Sequence, residues 1–399
     1  MGYPKPRLAH VTTVPITLGF FRGQIGFLKR SGFDVCAVTS PDEASAHFAA
    51  EQDIPVYDVL MNRAISPLSD MIALWRLWRL FLRLRPDIVH SHTPKAGLLG
   101  TLAARVAGVK VVFLSIFGLV QMNRTGFAKT LLDWTTRLSC SLANRVWCDS
   151  FSMRDHLIAE GLCLPSKVFV VGKGSVCGVD AVRAFSPENP PVARAQVRQQ
   201  LNIPPGSRVL GFTGRIVRDK GMHELAEAWR TLREHYTDLY LVLVGAFEAK
   251  DPLSPEDARL FRDDPRIRLT GHTSDVVSYY AVMDVYVMPS YREGFGLTNI
   301  EAAAMGLPVV ATLIPGCIDS VQDGTTGTLV PSHHVSALTE AIRTYLDDVE
   351  LRQRHGQAGR ARVLRDFLPE VIWKGLTQEY IQSLRTSGIP IPWSFQDTE

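Results

Sequence analysis

The chain has 399 residues, 46% hydrophobic and 21% charged, with 43 Lys+Arg against 40 Asp+Glu. At roughly 100–200 residues per domain, that length predicts two or three domains. The hydrophobic share excludes disorder, and the lack of short repeats or low-complexity blocks excludes collagen-like, coiled-coil and small disulfide-scaffold architectures. Charge is unevenly placed: residues 1–185 hold 21 Lys+Arg against 13 Asp+Glu, and the remainder 22 against 27. A basic first half suits phosphate or a membrane surface. No nucleic-acid partner is expected, because no recognisable nucleic-acid-binding module is present.

In chain order, apolar runs predict strands over 8–12, 34–38, 88–91, 109–115, 145–148 and 168–171, with helices over 24–29, 70–84, 97–107 and 130–143 between them. Strands alternating with helices predict parallel βαβ units. Prolines 187, 190, 191, 204 and 205 then mark 185–207 as a stiff linker. The rhythm resumes with strands over 208–212, 239–244, 267–270, 285–289, 309–312 and 327–330. The expected α/β architecture is therefore two doubly wound, Rossmann-like domains, 1–184 and 208–368, facing each other across a cleft. A last helix within 369–399 crosses back to the first domain.

The N-terminus makes a poor signal peptide, since Lys5 and Arg7 are followed by His10, Thr12, Thr13 and Pro15. The most membrane-like window, 96–120, contains Arg105 and Lys110 and splits better into a helix and a strand. The six cysteines form no C-x-x-C and no zinc-ligand spacing, so reduced thiols and a cytoplasmic protein are expected. In 70–85, Leu74, Leu77, Trp78, Phe81 and Leu82 form one stripe and Arg76, Arg79 and Arg83 another. That pattern suits a peripheral helix on anionic lipid at the inner face of the membrane, and equally a helix packed on a sheet.

The segment most informative for chemistry is PSYREGFGLTNIEA, 289–302. A strand ends, a glycine-rich turn follows, and a helix starts near Leu297. Gly294 and Gly296 permit close backbone approach and leave N–H groups for phosphate. Glu293 and Glu301, flanking the turn, suit hydrogen bonds to the vicinal hydroxyls of a sugar or ribose. Surface glutamates capping a helix would look the same. Arg215 and Lys220 sit in the loop leaving the strand at 208–212, where a doubly wound domain meets phosphate.

The spacing Glu293-x7-Glu301 within EGFGLTNIEAAAMGLPVVAT resembles the E-x7-E signature of the family 4 retaining nucleotide-sugar glycosyltransferases, which have the GT-B fold. FTGRIVRDKG resembles the family's G-R-x5-K-G stretch, and HSHTPKAGLLG, GSVCGVD and GHTSDVVSYY also look like family segments in order. The resemblance implies that Glu301 binds the donor ribose and Glu293 the donor sugar. Arg215 and Lys220 would clamp the diphosphate, and the backbone of Gly294, Phe295, Gly296 and Leu297 would support sugar and phosphate. His272 would pass the nucleotide, and Gly19, in a loop resembling one that faces the diphosphate, would allow close approach. Apart from the resemblance, His90 and His92 alternate at a strand end and so share a side. One of them, taken as His92, is expected to line the acceptor side with Lys95, although packed or capping residues would look the same.

No Asp-x-Asp occurs, so metal-independent transfer without a cofactor is expected. The segments VTTVP, HTPKAG and GVD resemble bacterial enzymes that build surface polysaccharide on a polyprenyl diphosphate. That implies a UDP-sugar donor, commonly a UDP-N-acetylhexosamine, and a lipid-linked or oligosaccharide acceptor. One departure stands out: Phe117-Gly118 occupies the place where many relatives carry His-Gly. A UDP-sugar 2-epimerase and an inactive sugar-nucleotide-binding subunit remain as alternatives.

Overall fold

The computed structural model describes residues 5–64 and 66–391, divided into two compact units, Met1–Cys177 with Pro369–Glu399 and Gly178–Leu368. The first unit is built on seven strands: β1 (Arg7–Val11), β2 (Asp34–Thr39), β3 (Val56–Asp58), β4 (Ile88–Ser91), β5 (Val111–Ile116), β6 (Arg145–Cys148) and β7 (Val168–Val170). Their order is β3-β2-β1-β4-β5-β6-β7 and every pairing is parallel. The edge strand β3 was not expected, because its three partly exposed residues form no apolar run.

Helices Pro67–Leu84 and Pro94–Val106 start earlier than predicted, each with a proline in its first turn. Proline there has no N–H to waste and a φ preset for the helix, although in a sequence it reads as a breaker. Alternation along β1 sends Ala9 and Val11 to a core shared with these helices, and Leu8 to the opposite core. That second core also holds Ile372, Leu376, Tyr380 and Leu384 of the helix Pro369–Thr386, so the last helix belongs to the first unit.

The second unit carries β8 (Arg208–Thr213), β9 (Leu239–Val244), β10 (Ile267–Gly271), β11 (Val285–Met288), β12 (Val309–Thr312) and β13 (Gly327–Val330). They form a parallel sheet ordered β10-β9-β8-β11-β12-β13. The expected linker 185–207 is corrected by the structure. The unit boundary falls at Cys177/Gly178, and the proline-rich stretch is part of the second unit. Its helix Arg194–Gln200 buries Val197, Ile203 joins the same core, and Arg194 pairs with Asp284 at 3.0 Å. The prolines set turns on a packed surface here rather than spacing two domains. Among the described residues all six cysteines are free thiols, and no helix is long and apolar enough to cross a membrane.

Candidate functional site

The order of the second sheet reverses between β8 and β11, so the connections leaving these strands run to opposite sides and their carboxyl ends lie open together. Two loops meet there, one following β8 and one following β11. Gly221 has φ +67°, and a Cβ on it would lie 1.9 Å from the Pro289 carbonyl oxygen, so only glycine lets the loops touch backbone to backbone. The Tyr291 N–H donates to the Asp219 carbonyl at 3.0 Å, and Arg292 Nη2 pairs with Asp219 Oδ2 at 2.9 Å.

This splice brings Lys220 and Glu293 into a direct ion pair, with 16% and 12% of their side-chain surfaces exposed. Assigned from sequence to separate parts of a ligand, they are neighbours. A half-desolvated ammonium beside a carboxylate is a fixed dipole at the open end of the sheet.

Beyond the pair, Gly296 caps the helix Leu297–Ala304 in a left-handed conformation, φ +78°. A Cβ there would meet Asn299 Nδ2 at 2.7 Å. Phe295 between the glycines is a core residue, its ring 5.4 Å from that of Phe367, so only its backbone can serve a ligand. Glu301 follows one turn into the helix, and Tyr280 Oη donates to its Oε2 at 2.9 Å. Burial pushes the Glu301 carboxyl up from its ordinary 4.5 to about 7, with the Tyr280 bond opposing the rise. The folded protein therefore binds more protons than the unfolded chain between those values, and this group lowers stability as pH climbs through that window. A site that keeps such a carboxyl poised near neutrality is a functional-site signature.

Arg215 and His272 lie further out. Arg215 pairs with Glu248 of the loop after β9 at 3.1 Å and is 53% exposed, free to reorient toward an anion. His272 is exposed immediately past β10, two strands from β8.

The first unit departs more from expectation. Gly19 lies in the 3-10 helix Pro15–Phe21, and a Cβ there would meet nothing within 4 Å, so no close approach demands glycine. His92 is wholly buried and cannot line an acceptor surface as placed. It belongs to a chain of hydrogen bonds from His10 Nδ1 to His92 Nε2 (3.0 Å), His92 Nδ1 to Ser115 Oγ (2.8 Å), Ser115 Oγ to His90 Nε2 (2.7 Å) and His90 Nδ1 to Tyr380 Oη (2.5 Å). Burial pushes His10 down to about 3 and the other two well below the usual imidazole value. Lys95 pairs with Asp70 at 2.6 Å and ties its helix to Pro67–Leu84. Phe117 packs edge-on against Trp147, ring centroids 5.2 Å apart.

Sequence reasoning missed Tyr280, Asp219 and Arg292. Tyr280 reads as a core aromatic. Asp219 lies within the basic loop and Arg292 beside Glu293, and only the loop splice makes them partners.

Two family models match this chain, glycosyl transferases group 1 over residues 193–362 and a glycosyl transferase 4-like domain over residues 21–174. The capsular polysaccharide biosynthesis glycosyltransferase CapM of Staphylococcus aureus is 32% identical over 96% of this chain and 98% of its own length. This chain is a family 4 glycosyltransferase. An Escherichia coli UDP-Gal:α-D-GlcNAc-diphosphoundecaprenol α-1,3-galactosyltransferase is 26% identical over 87% of this chain and 89% of its own. The structure of Anabaena HepE in complex with UDP matches with a TM-score of 0.76 at 19% identity, covering 95% of this chain and all of that one, a likeness of GT-B fold. In this glycosyltransferase, then, the Glu293-to-Glu301 segment spans the switch point of the second unit.

The paired charges make a stability prediction. Lys220→Ala leaves Glu293 as an uncompensated, largely buried charge and should cost about 3 kcal/mol. Lys220→Ala/Glu293→Ala should recover most of that in thermal unfolding while remaining inactive. Equal instability of the single and double variants would contradict the pairing.

Proposed function

We propose that the protein transfers a sugar, with retention of configuration, from a UDP-sugar to a lipid-linked glycan in surface polysaccharide synthesis. The observation carrying this reading is the poised Glu301 carboxyl, held by Tyr280 one turn into the helix that follows the Lys220–Glu293 pair at the switch point. As a carboxylate, Glu301 accepts hydrogen bonds from both ribose hydroxyls. Glu293 accepts from hydroxyls of the donor sugar, while Lys220 and a reoriented Arg215 face the diphosphate. The base lies toward the loop carrying His272.

In the transfer step, the bond between the anomeric carbon and the diphosphate oxygen breaks and a bond to the acceptor oxygen forms on the same face. The acceptor proton passes to the departing phosphate oxygen, so no enzyme nucleophile is consumed. Fixed cations aimed at the oxygen where charge develops stabilise that state. With two such cations at hand, metal-independent transfer is part of the proposal. The similarity to an enzyme named for a diphosphoundecaprenol acceptor supports a lipid-linked acceptor, handled by the first unit.

Peripheral attachment at the cytoplasmic face of the membrane completes the reading. Of the expected apolar stripe, Leu77 and Phe81 are core, Leu74 and Trp78 are half-buried and Leu82 is exposed, so most of the apolar surface is formed by other residues. Leu68, Met71, Ile72 and Trp75 are at least half exposed, and the Arg79 guanidinium lies 4.8 Å from the Trp75 ring. Arginine and tryptophan stacked on an exposed apolar face fit a headgroup layer.

UDP at about 100 times its Kd should stabilise the wild type by roughly 2.7 kcal/mol, visible as a rise in melting temperature. Glu301→Ala should abolish the rise, and turnover of the wild type should survive EDTA. An unchanged rise in the variant would remove the ribose assignment; loss of turnover in EDTA would remove metal independence.

A further inference from the structure

A cavity of about 270 Å³ lies within the first unit, between the loops that follow β1, β4 and β5 and the helix Gly126–Leu142. Its wall is mainly apolar, with Phe20, Pro94, Ile116, Leu119 and Leu132 prominent. Phe20 and Val120 line the cavity and are themselves 42% and 38% exposed, so it opens to the surface rather than being a packing void. Thr93, Gln121, Thr135, Thr136 and Ser139 also line it but are already hydrogen-bonded within the protein, so the wall favours an apolar occupant over a sugar, whose unpaired hydroxyls would be penalised.

The surroundings of the opening narrow the occupant. Each helix leaving a parallel strand starts at the carboxyl edge of the sheet, and on this edge the early turns are exposed and apolar. Leu68 and Met71 of one helix are 79% and 67% exposed, and Phe127 and Trp134 of another are 82% and 59% exposed. Large apolar side chains left this exposed suit an interaction surface. Further along the helix Pro67–Leu84 and outside the cavity wall, Arg76, Arg79 and Arg83 form no salt bridge among the described residues, a complement for a layer of anionic headgroups. At the cavity wall Thr93, a β-branched residue, is held at φ +71°, its hydroxyl 2.7 Å from that of Thr13. Strain of this sort persists where the surroundings over-determine it and concentrates at functional sites.

We propose that this cavity binds the prenyl units next to the diphosphate of the lipid-linked acceptor, entered from the apolar rim at the carboxyl edge of the first sheet. The inference rests on the glycosyltransferase reading with a lipid-linked acceptor and assigns its chain a place. An apolar chain gains affinity with each methylene removed from water, until the cavity is filled.

The test is calorimetric titration of the full-length protein with dimethylallyl, geranyl and farnesyl diphosphate, below any micellar concentration. Affinity should rise at least about tenfold from the five-carbon to the longer chains in the wild type. Leu132→Trp and Thr135→Phe, both filling the cavity, should flatten that dependence while the UDP-induced melting shift stays intact. No chain-length gain in the wild type, or a gain preserved in both variants, would overturn the assignment. Equal competition by dihexanoylphosphatidylglycerol would overturn it too, by giving the cavity to a bilayer lipid. Loss of the UDP shift in the wild type would strike the donor reading, while the chain-length series tests this one independently.

Discussion

The reversal of strand order between β8 and β11 is the constraint on which the candidate site depends. Parallel strands joined by right-handed crossovers can leave two adjacent carboxyl ends uncovered only where the winding changes direction. At that point Gly221 presses against the Pro289 carbonyl, and the two loops become one surface. Lys220, Asp219, Arg292 and Glu293 then form a charged lattice that neither loop could hold alone. The first sheet repeats the geometry between β1 and β4, where Thr13 meets Thr93. There the strand ends are closed over buried imidazoles and an apolar cavity, so one architecture serves two different chemistries.

Electrostatics decides how these groups divide the work. Lys220 and Glu293 neutralise each other, which makes their burial tolerable and keeps both side chains in place. Among the described residues Glu301 forms no salt bridge. A single phenolic hydrogen bond only partly offsets its desolvation, and the carboxyl stays protonated up to about pH 7. A ligand donating two hydroxyls to that carboxyl would supply the stabilisation its surroundings withhold. Tyr280 is a positioning residue in this scheme. It is fully buried beside Tyr286 and fixes the carboxyl without reaching a ligand.

The legibility of the sequence followed the range of the forces involved. Central strands buried on both faces read as apolar runs, and β4, β6, β9, β12 and β13 stand at their expected bounds. The turn and helix of 289–302 were readable because local geometry alone places Glu293, Gly296 and Glu301 there. What depended on long-range packing was not readable. Proline content made 185–207 look like a linker, although Val197 and Ile203 bury themselves in the second unit's core. His92 shares strand parity with His90, as its spacing predicts, but the burial of that face beneath the helix Pro369–Thr386 turns an expected ligand group into part of an interior hydrogen-bond chain. Tyr280 and Glu301 lie 21 residues apart and meet only through the fold.

In the donor complex proposed above, Glu301 receives the ribose as a carboxylate. The direct measurement is proton release on UDP binding at pH 6, by titration calorimetry in two buffers of different ionisation enthalpy. Glu301→Gln corrects for the nucleotide's own titration. With the unliganded carboxyl at about 7, the wild type should release close to one proton more than the variant, and its UDP affinity should rise with pH up to that value. Identical proton release in the two proteins, with unchanged affinity, would contradict the claim.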